Sequence, residues 1–116
     1  GYAALPRDVR DESDGTRLRA LLDFSAIAGD TGDRAVLEEQ LQAEPEGLDA
    51  RYRMAAIQVL AGEYEAAMQG FMEIIRLDRT FRDDGGRRAL LSVFDLLGNE
   101  HELVGSYRRK LFNAMH

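Results

Sequence analysis

Cysteine is absent from this 116-residue sequence, which excludes disulfide bridges, thiolate metal sites and cysteine nucleophiles. Only two histidines occur, His101 and His116, so a histidine-rich metal site is excluded as well. His101 opens the segment HELVG, which starts like a helical zinc-protease motif, but Gly105 stands where the second histidine ligand is required. No serine has a histidine placed to activate it. We therefore expect a non-catalytic chain that needs neither a cofactor nor a metal.

The sequence also lacks long apolar runs and alternating patterns. Its longest apolar runs are a few residues, far short of the about 20 that a membrane-spanning helix needs. No stretch alternates polar and apolar residues for long enough to predict a sheet. With 45% hydrophobic and 31% charged residues, the composition is typical of one folded domain. We expect one domain that contains no membrane span.

Apolar residues recur instead with the period of an α-helix, in six segments. The first helix is predicted over residues 15–28, behind a Ser13 or Asp14 cap, and the second over residues 33–43. The first helix is expected to face inward through Leu18, Leu21, Leu22 and Ser25. The second is expected to do so through Val36, Leu37 and Leu41.

The third and fourth helices are predicted to form a hairpin over residues 48–81, with Gly62 ending one helix and Glu63 opening the next. The third helix is expected to face inward through Leu48, Tyr52, Ala55 and Val59, and the fourth through Tyr64, Ala67, Met68, Phe71, Ile74 and Ile75. The fifth helix, capped by Asp83 or Asp84, is expected to bury Leu90, Leu91, Phe94 and Leu97. The sixth, from Glu100, is expected to bury Leu103, Val104, Tyr107 and Leu111.

Three turn glycines, Gly32, Gly62 and Gly98, indicate a repeat. The residues two, five and nine positions after Gly32 are Arg34, Leu37 and Leu41. After Gly62 they are Tyr64, Ala67 and Phe71, and after Gly98 they are Glu100, Leu103 and Tyr107. The glycine spacings of 30 and 36 bracket the about 34-residue period of tetratricopeptide hairpins. We therefore predict an all-α fold in which three such hairpins, residues 14–46, 47–81 and 82–116, stack as a short right-handed superhelix. Residues 1–13 are predicted to be a linker and the end of a truncated upstream helix.

Negative charge is concentrated in one stretch. Residues 30–49 hold seven acids and one base, Arg34, so this stretch has a net charge of -6. The net charge of the whole chain is also -6. Such an acidic surface disfavours nucleic acid, whose phosphates need basic contacts. A solvated helix face and a docking surface for a basic partner both fit the pattern, and the candidate docking residues are Glu38, Glu39, Glu44 and Glu46.

The last helix is the second candidate surface. A basic run, Arg108, Arg109 and Lys110, lies beside Phe112 and Met115, which continue past the point that the preceding helix can cover. A terminal capping helix with a solvated basic face and a helix that docks into a partner both fit this pattern.

Residues 32–111 resemble the C-terminal tetratricopeptide-like domain of the bacterial thioredoxin-like YbbN or CnoX family. The similarity lies in the segments LEEQL (37–41), ARYRMA (50–55), GEYEAA (62–67), DRTFRDD (78–84), RRALL (87–91) and YRRKL (107–111), with Phe94 and Leu97-Gly98. Arg51, Met54, Ala55 and Gln58 depart from the general tetratricopeptide consensus.

The resemblance implies the tail of a bacterial cytoplasmic co-chaperone. Such a protein joins a thioredoxin-like N-terminal domain to helical repeats, holds unfolded clients and passes them to the chaperonin and Hsp70 systems. In this family the terminal helix is thought to engage the chaperonin. The resemblance therefore implies a partner-binding role for Tyr107, Arg108, Arg109, Lys110, Leu111, Phe112 and Met115. The alternative is a scaffold that packs against its own N-terminal thioredoxin-like domain and binds no separate partner.

Overall fold

The computed structural model describes residues 4–29 and 34–116, with side chains from Gly15 onward. These residues form six helices and no strand, namely α1 (Ala4–Ala28), α2 (Arg34–Ala43), α3 (Leu48–Leu60), α4 (Tyr64–Leu77), α5 (Gly85–Leu97) and α6 (Glu102–Met115). The predicted all-α class is therefore confirmed. Gly32, the first glycine of the repeat, lies outside the described residues. Gly62 and Gly98 both adopt the positive φ angles, 81° and 94°, that glycine permits at a helix end.

The predicted start of the first helix at Gly15 is wrong. Helix α1 begins at Ala4, so the charged stretch before Gly15 is helical. Pro6 lies in the first turn, where the N–H that proline lacks has no helical partner to lose. The arginines and glutamate that follow favour a helix even though no apolar period marks one. The assignment of residues 1–13 to a separate segment remains a prediction.

Helix α3 lies at the centre of the fold and packs against α1, α2 and α4. Ala55 and Val59 are buried as predicted, but Leu48 and Tyr52 are only half-buried. Further buried residues lie outside the predicted stripe, namely Met54, Ala56 and Ile57. A helix with neighbours on three sides buries residues around most of its circumference, which a single stripe cannot describe.

Helix α4 buries the face that the sequence predicts, namely Ala67, Met68, Phe71, Ile74 and Ile75, with Tyr64 half-buried. Phe71 is completely buried. The centre of its ring lies 5.9 Å from that of Phe24 in α1 and 6.1 Å from that of Tyr52 in α3. These distances are typical of favourable aromatic pairs, so Phe71 links three helices.

Helix α5 approaches α4 closely because its first turn contains Gly86. A Cβ atom at this position would lie 3.1 Å from side-chain carbons of Ile74 and Ile75 and 3.3 Å from the carbonyl oxygen of Phe71. Leu90 and Phe94 are buried as predicted. Leu91 and Leu97 are only half-buried, because Ala89 and Val93 point into the core instead.

The predicted inward face of α1 is wrong. The face packed against α3 and α5 contains Ala20, Phe24 and Ala28. The residues predicted to be buried are exposed instead, namely Leu18, Leu21, Leu22 and Ser25. Two contacts hold α1 in this rotation. Phe24 stacks on Phe71, and the guanidinium of Arg53 donates to the carbonyl oxygen of Ala28 over 2.9 and 3.2 Å.

Helix α2 deviates in the same way at one residue. Leu37 is buried and Leu41 is half-buried, as predicted. Val36, which was expected to face inward, is 51% exposed. It precedes Leu37 by one position, so it points about 100° away from the buried side.

Replacing Phe71 by alanine should lower the free energy of unfolding by about 3–5 kcal/mol, because the substitution leaves a cavity among α1, α3 and α4. Urea denaturation followed by circular dichroism measures this loss. Phe112→Ala is the matched control, since Phe112 is 64% exposed and its removal should cost less than about 0.5 kcal/mol. Equal losses in the two variants would contradict the packing described for Phe71.

Two glycine-to-alanine substitutions should have opposite effects. Gly86→Ala forces α5 away from α4 and should destabilise the fold by about 1–3 kcal/mol. Gly105 lies within α6, and a Cβ there would meet nothing within 4 Å. Gly105→Ala should therefore stabilise by about 0.5–1 kcal/mol through helix propensity alone. Thermal unfolding of both variants checks the sign of each change.

Candidate protein-binding surfaces

Helix α6 begins at a histidine cap and buries one side. His101 is the capping residue, and its Nδ1 atom accepts a hydrogen bond from the backbone N–H of Leu103 over 3.1 Å. Val104, Tyr107 and Leu111 face the core. Tyr107 and Leu111, which the resemblance assigns to a partner surface, are therefore packing residues that hold α6 in place.

The other predicted residues of α6 remain accessible. Arg108, Arg109 and Lys110 are exposed. Arg108 donates to the side-chain oxygen of Asn99 over 2.6 Å, and its guanidinium lies 5.6 Å from the ring centre of Phe94. In the described part of the chain, none of the three cations forms an ion pair with a carboxylate. Their positive charge is available to a partner.

An open groove of about 670 Å³ lies between α6 and the start of α5. Its lining residues are Asp84, Arg87, Arg108, Leu111, Phe112, Met115 and His116. Phe112 is 64% exposed, and its ring centre lies 4.3 Å from that of His116. The predicted residues Phe112 and Met115 thus lie together beside an open groove whose charged lining residues are Arg87, Arg108 and Asp84.

Asp84 and Arg87 belong to the groove, but nothing in the sequence marks them as binding residues. Three consecutive non-glycine residues, Arg82, Asp83 and Asp84, adopt left-handed φ angles of 52°, 57° and 67°. This conformation costs about 1–2 kcal/mol per residue, so it needs compensating contacts. The guanidinium of Arg82 supplies several of them.

The compensating contacts reach back to α3. Arg82 lies 3.0 Å from the carboxylate of Asp49 and 5.4 and 5.6 Å from the ring centres of Tyr52 and Phe81. The turn then brings Asp84 to within 3.0 Å of the guanidinium of Arg87, at the groove. Asp84 makes no side-chain cap for α5, contrary to the prediction.

The helical pattern of the chain matches a known repeat family. A family model described as a tetratricopeptide repeat matches residues 27–116. The chain belongs to the tetratricopeptide repeat family. No curated protein and no solved structure matches the chain significantly. Tetratricopeptide repeats generally bind other proteins and are typically non-catalytic. No helix in the part of this tetratricopeptide domain that the structure describes is long and apolar enough to cross a membrane.

The acidic surface of the tetratricopeptide domain is partly neutralised by internal contacts. The guanidinium of Arg34 donates to both carboxylate oxygens of Glu63, over 2.7 and 3.0 Å, and lies 3.4 Å from Glu38. These contacts join the start of α2 to the start of α4. Glu39, Glu44 and Glu46 are exposed. Of the four predicted docking residues, Glu38 therefore has an internal cation partner.

The ion pair between Arg34 and Glu63 changes the pKa of Glu63, which can be measured by titration. Hydrogen bonding to Arg34 lowers the pKa of Glu63 below its ordinary value. The stability that the pair contributes is therefore present above the pKa of Glu63 in the unfolded chain. It is lost as the pH falls through the lower pKa of the folded state.

Arg34→Ala should raise the pKa of Glu63 toward the ordinary value and reduce the loss of stability on acidification. Titration of the Glu63 carboxyl carbon by NMR measures the first effect, and urea denaturation across the acid range measures the second. Arg17→Ala, which removes an exposed cation on α1, should leave the Glu63 pKa unchanged. A Glu63 pKa that does not move in Arg34→Ala would contradict the pairing.

Proposed function

We propose that this tetratricopeptide domain binds a protein partner through the groove beside α6. The exposed ring of Phe112 carries this proposal, because a large apolar side chain at 64% exposure stands next to an open groove rather than alone on a polar surface. An aromatic anchor beside a pocket is the arrangement in which interface residues contribute most to binding.

The groove favours a partner segment that is both apolar and acidic. Phe112 and Met115 supply apolar contacts at the groove, and the flexible thioether of Met115 adapts to the shape of an incoming side chain. Arg108 lines the groove, and Arg109 and Lys110 follow it on α6. No carboxylate among the described residues pairs with these three cations, so a carboxylate on the partner would gain an ion pair. An amphipathic helix with acidic residues beside its apolar face meets both requirements.

We further propose that the domain belongs to a bacterial cytoplasmic co-chaperone. Its support is the similarity of residues 32–111 to the helical-repeat domain of the thioredoxin-like YbbN or CnoX family, together with the accessible α6 surface. The partners would be the chaperonin, the Hsp70 system and unfolded clients. In the alternative, a scaffold, the domain packs only against an N-terminal thioredoxin-like domain.

Binding to a purified bacterial chaperonin tests the proposal. Phe112→Ala and deletion of residues 112–116 should each weaken binding at least about tenfold, since both remove the anchor beside the groove. Arg109→Glu should weaken binding through charge, and the loss should shrink as salt is raised. Surface plasmon resonance at several salt concentrations measures these effects.

Two control variants make the result specific. Val36→Ala removes an exposed apolar side chain from α2, and Arg17→Glu makes the same charge change on α1. Both should bind like the unchanged chain. Unchanged binding after deletion of residues 112–116, with the fold intact by circular dichroism, would exclude α6 as the docking surface. Chaperonin that fails to bind the unchanged chain would exclude the co-chaperone proposal.

A further inference from the structure

Asp84 places a carboxylate in the groove beside α6. It lines the groove together with Arg87 and Arg108. It also lines a neighbouring open cavity of about 460 Å³, which shares Met115 with the groove. The side chain of Asp84 is 39% exposed. Its carboxylate therefore has open space beside it, into which it can move without disturbing the core.

The backbone of Asp84 prevents the role that an aspartate usually has at this position. Asp84 directly precedes α5, where an aspartate in extended conformation caps the helix by accepting from backbone N–H groups of the first turn. Here the residue is left-handed, with a φ angle of 67°, and its side chain makes no cap hydrogen bond. The carboxylate instead accepts from the guanidinium of Arg87 over 3.0 Å. Strained backbone of this kind is concentrated at functional sites.

The two arginines that line the groove therefore differ in their partners. Arg108 donates to the neutral side-chain oxygen of Asn99 and pairs with no carboxylate among the described residues. Arg87 pairs with Asp84, and its side chain is 42% exposed. An ion pair whose two partners are both exposed to water contributes little to stability, so another carboxylate can replace Asp84 at small cost. One guanidinium of the groove is open to a carboxylate from a partner, and the other is already neutralised.

We propose that Asp84 competes with an incoming acidic segment for Arg87 and so determines how strongly the groove favours acidic partners. The inference rests on the proposed function, in which an acidic amphipathic helix occupies the groove. A carboxylate of that helix can pair with Arg108 directly, but it reaches Arg87 only by displacing Asp84. Asp84 thus lowers the affinity for acidic segments. Specificity commonly depends on such unfavourable contacts as well as on favourable ones.

A synthetic amphipathic peptide of about 16 residues, with leucines on one face and glutamates beside them, is the probe. The same peptide with glutamines in place of the glutamates is its reference. Asp84→Asn should tighten binding of the glutamate peptide about fivefold and change binding of the glutamine peptide less than about twofold, because only a carboxylate gains from the released Arg87. Asparagine tolerates a left-handed backbone, so the turn is retained. Fluorescence anisotropy of the labelled peptides measures both affinities.

Two further variants show whether the effect depends on Arg87. The double variant Asp84→Asn, Arg87→Gln should bind the glutamate peptide within about twofold of Arg87→Gln alone, because the cation that Asp84→Asn releases is then absent. Asp95→Asn removes one negative charge from an exposed position on α5 that does not line the groove. It should change the affinity for the glutamate peptide less than about twofold. Circular dichroism confirms that each variant remains folded.

Failure of this inference and failure of the proposed function give different results. If neither peptide binds, or if binding does not depend on Phe112, the groove does not accept acidic amphipathic helices and both proposals are wrong. If the glutamate peptide binds and Phe112→Ala weakens it, but Asp84→Asn does not tighten it, only the inference about Asp84 is wrong. A gain that persists without Arg87 would also overturn it, since Asp84 would then act by charge repulsion alone.

Discussion

The packing around Phe71 is the interaction on which the other helices depend. Its buried ring contacts the rings of Phe24 in α1 and Tyr52 in α3. A Cβ at Gly86 would lie 3.3 Å from the carbonyl oxygen of Phe71 and 3.1 Å from Ile74 and Ile75, so α5 packs closely on α4 where this position has no side chain. Phe71 thus lies where α1, α3 and α5 all approach α4. Helix α6 packs on α4 and α5, so its position follows from this packing.

The sequence predicts α4 well and α1 poorly for the same physical reason. Helix α4 has one apolar stripe, so its buried face follows from periodicity alone. Helix α1 has two apolar faces, and the one with three leucines is the more hydrophobic. The smaller face is the buried one because Phe24 reaches Phe71 and Arg53 reaches the last carbonyl of α1. Both are tertiary contacts between residues distant in sequence, which no local pattern contains.

Some residues at the candidate groove can be predicted from the sequence, and others depend on tertiary contacts. Phe112 and Met115 could be predicted from the sequence because the apolar pattern of α6 continues past the point that the preceding helix can cover. Tyr107 and Leu111 could not be separated from them, since an amphipathic helix shows its core residues and its accessible apolar residues in one pattern. Asp84 reaches the groove only through a left-handed turn of non-glycine residues, a conformation that sequence patterns assign to glycine. Arg82 supports that turn by contacting Asp49 and the Tyr52 ring, more than 25 residues earlier in the chain.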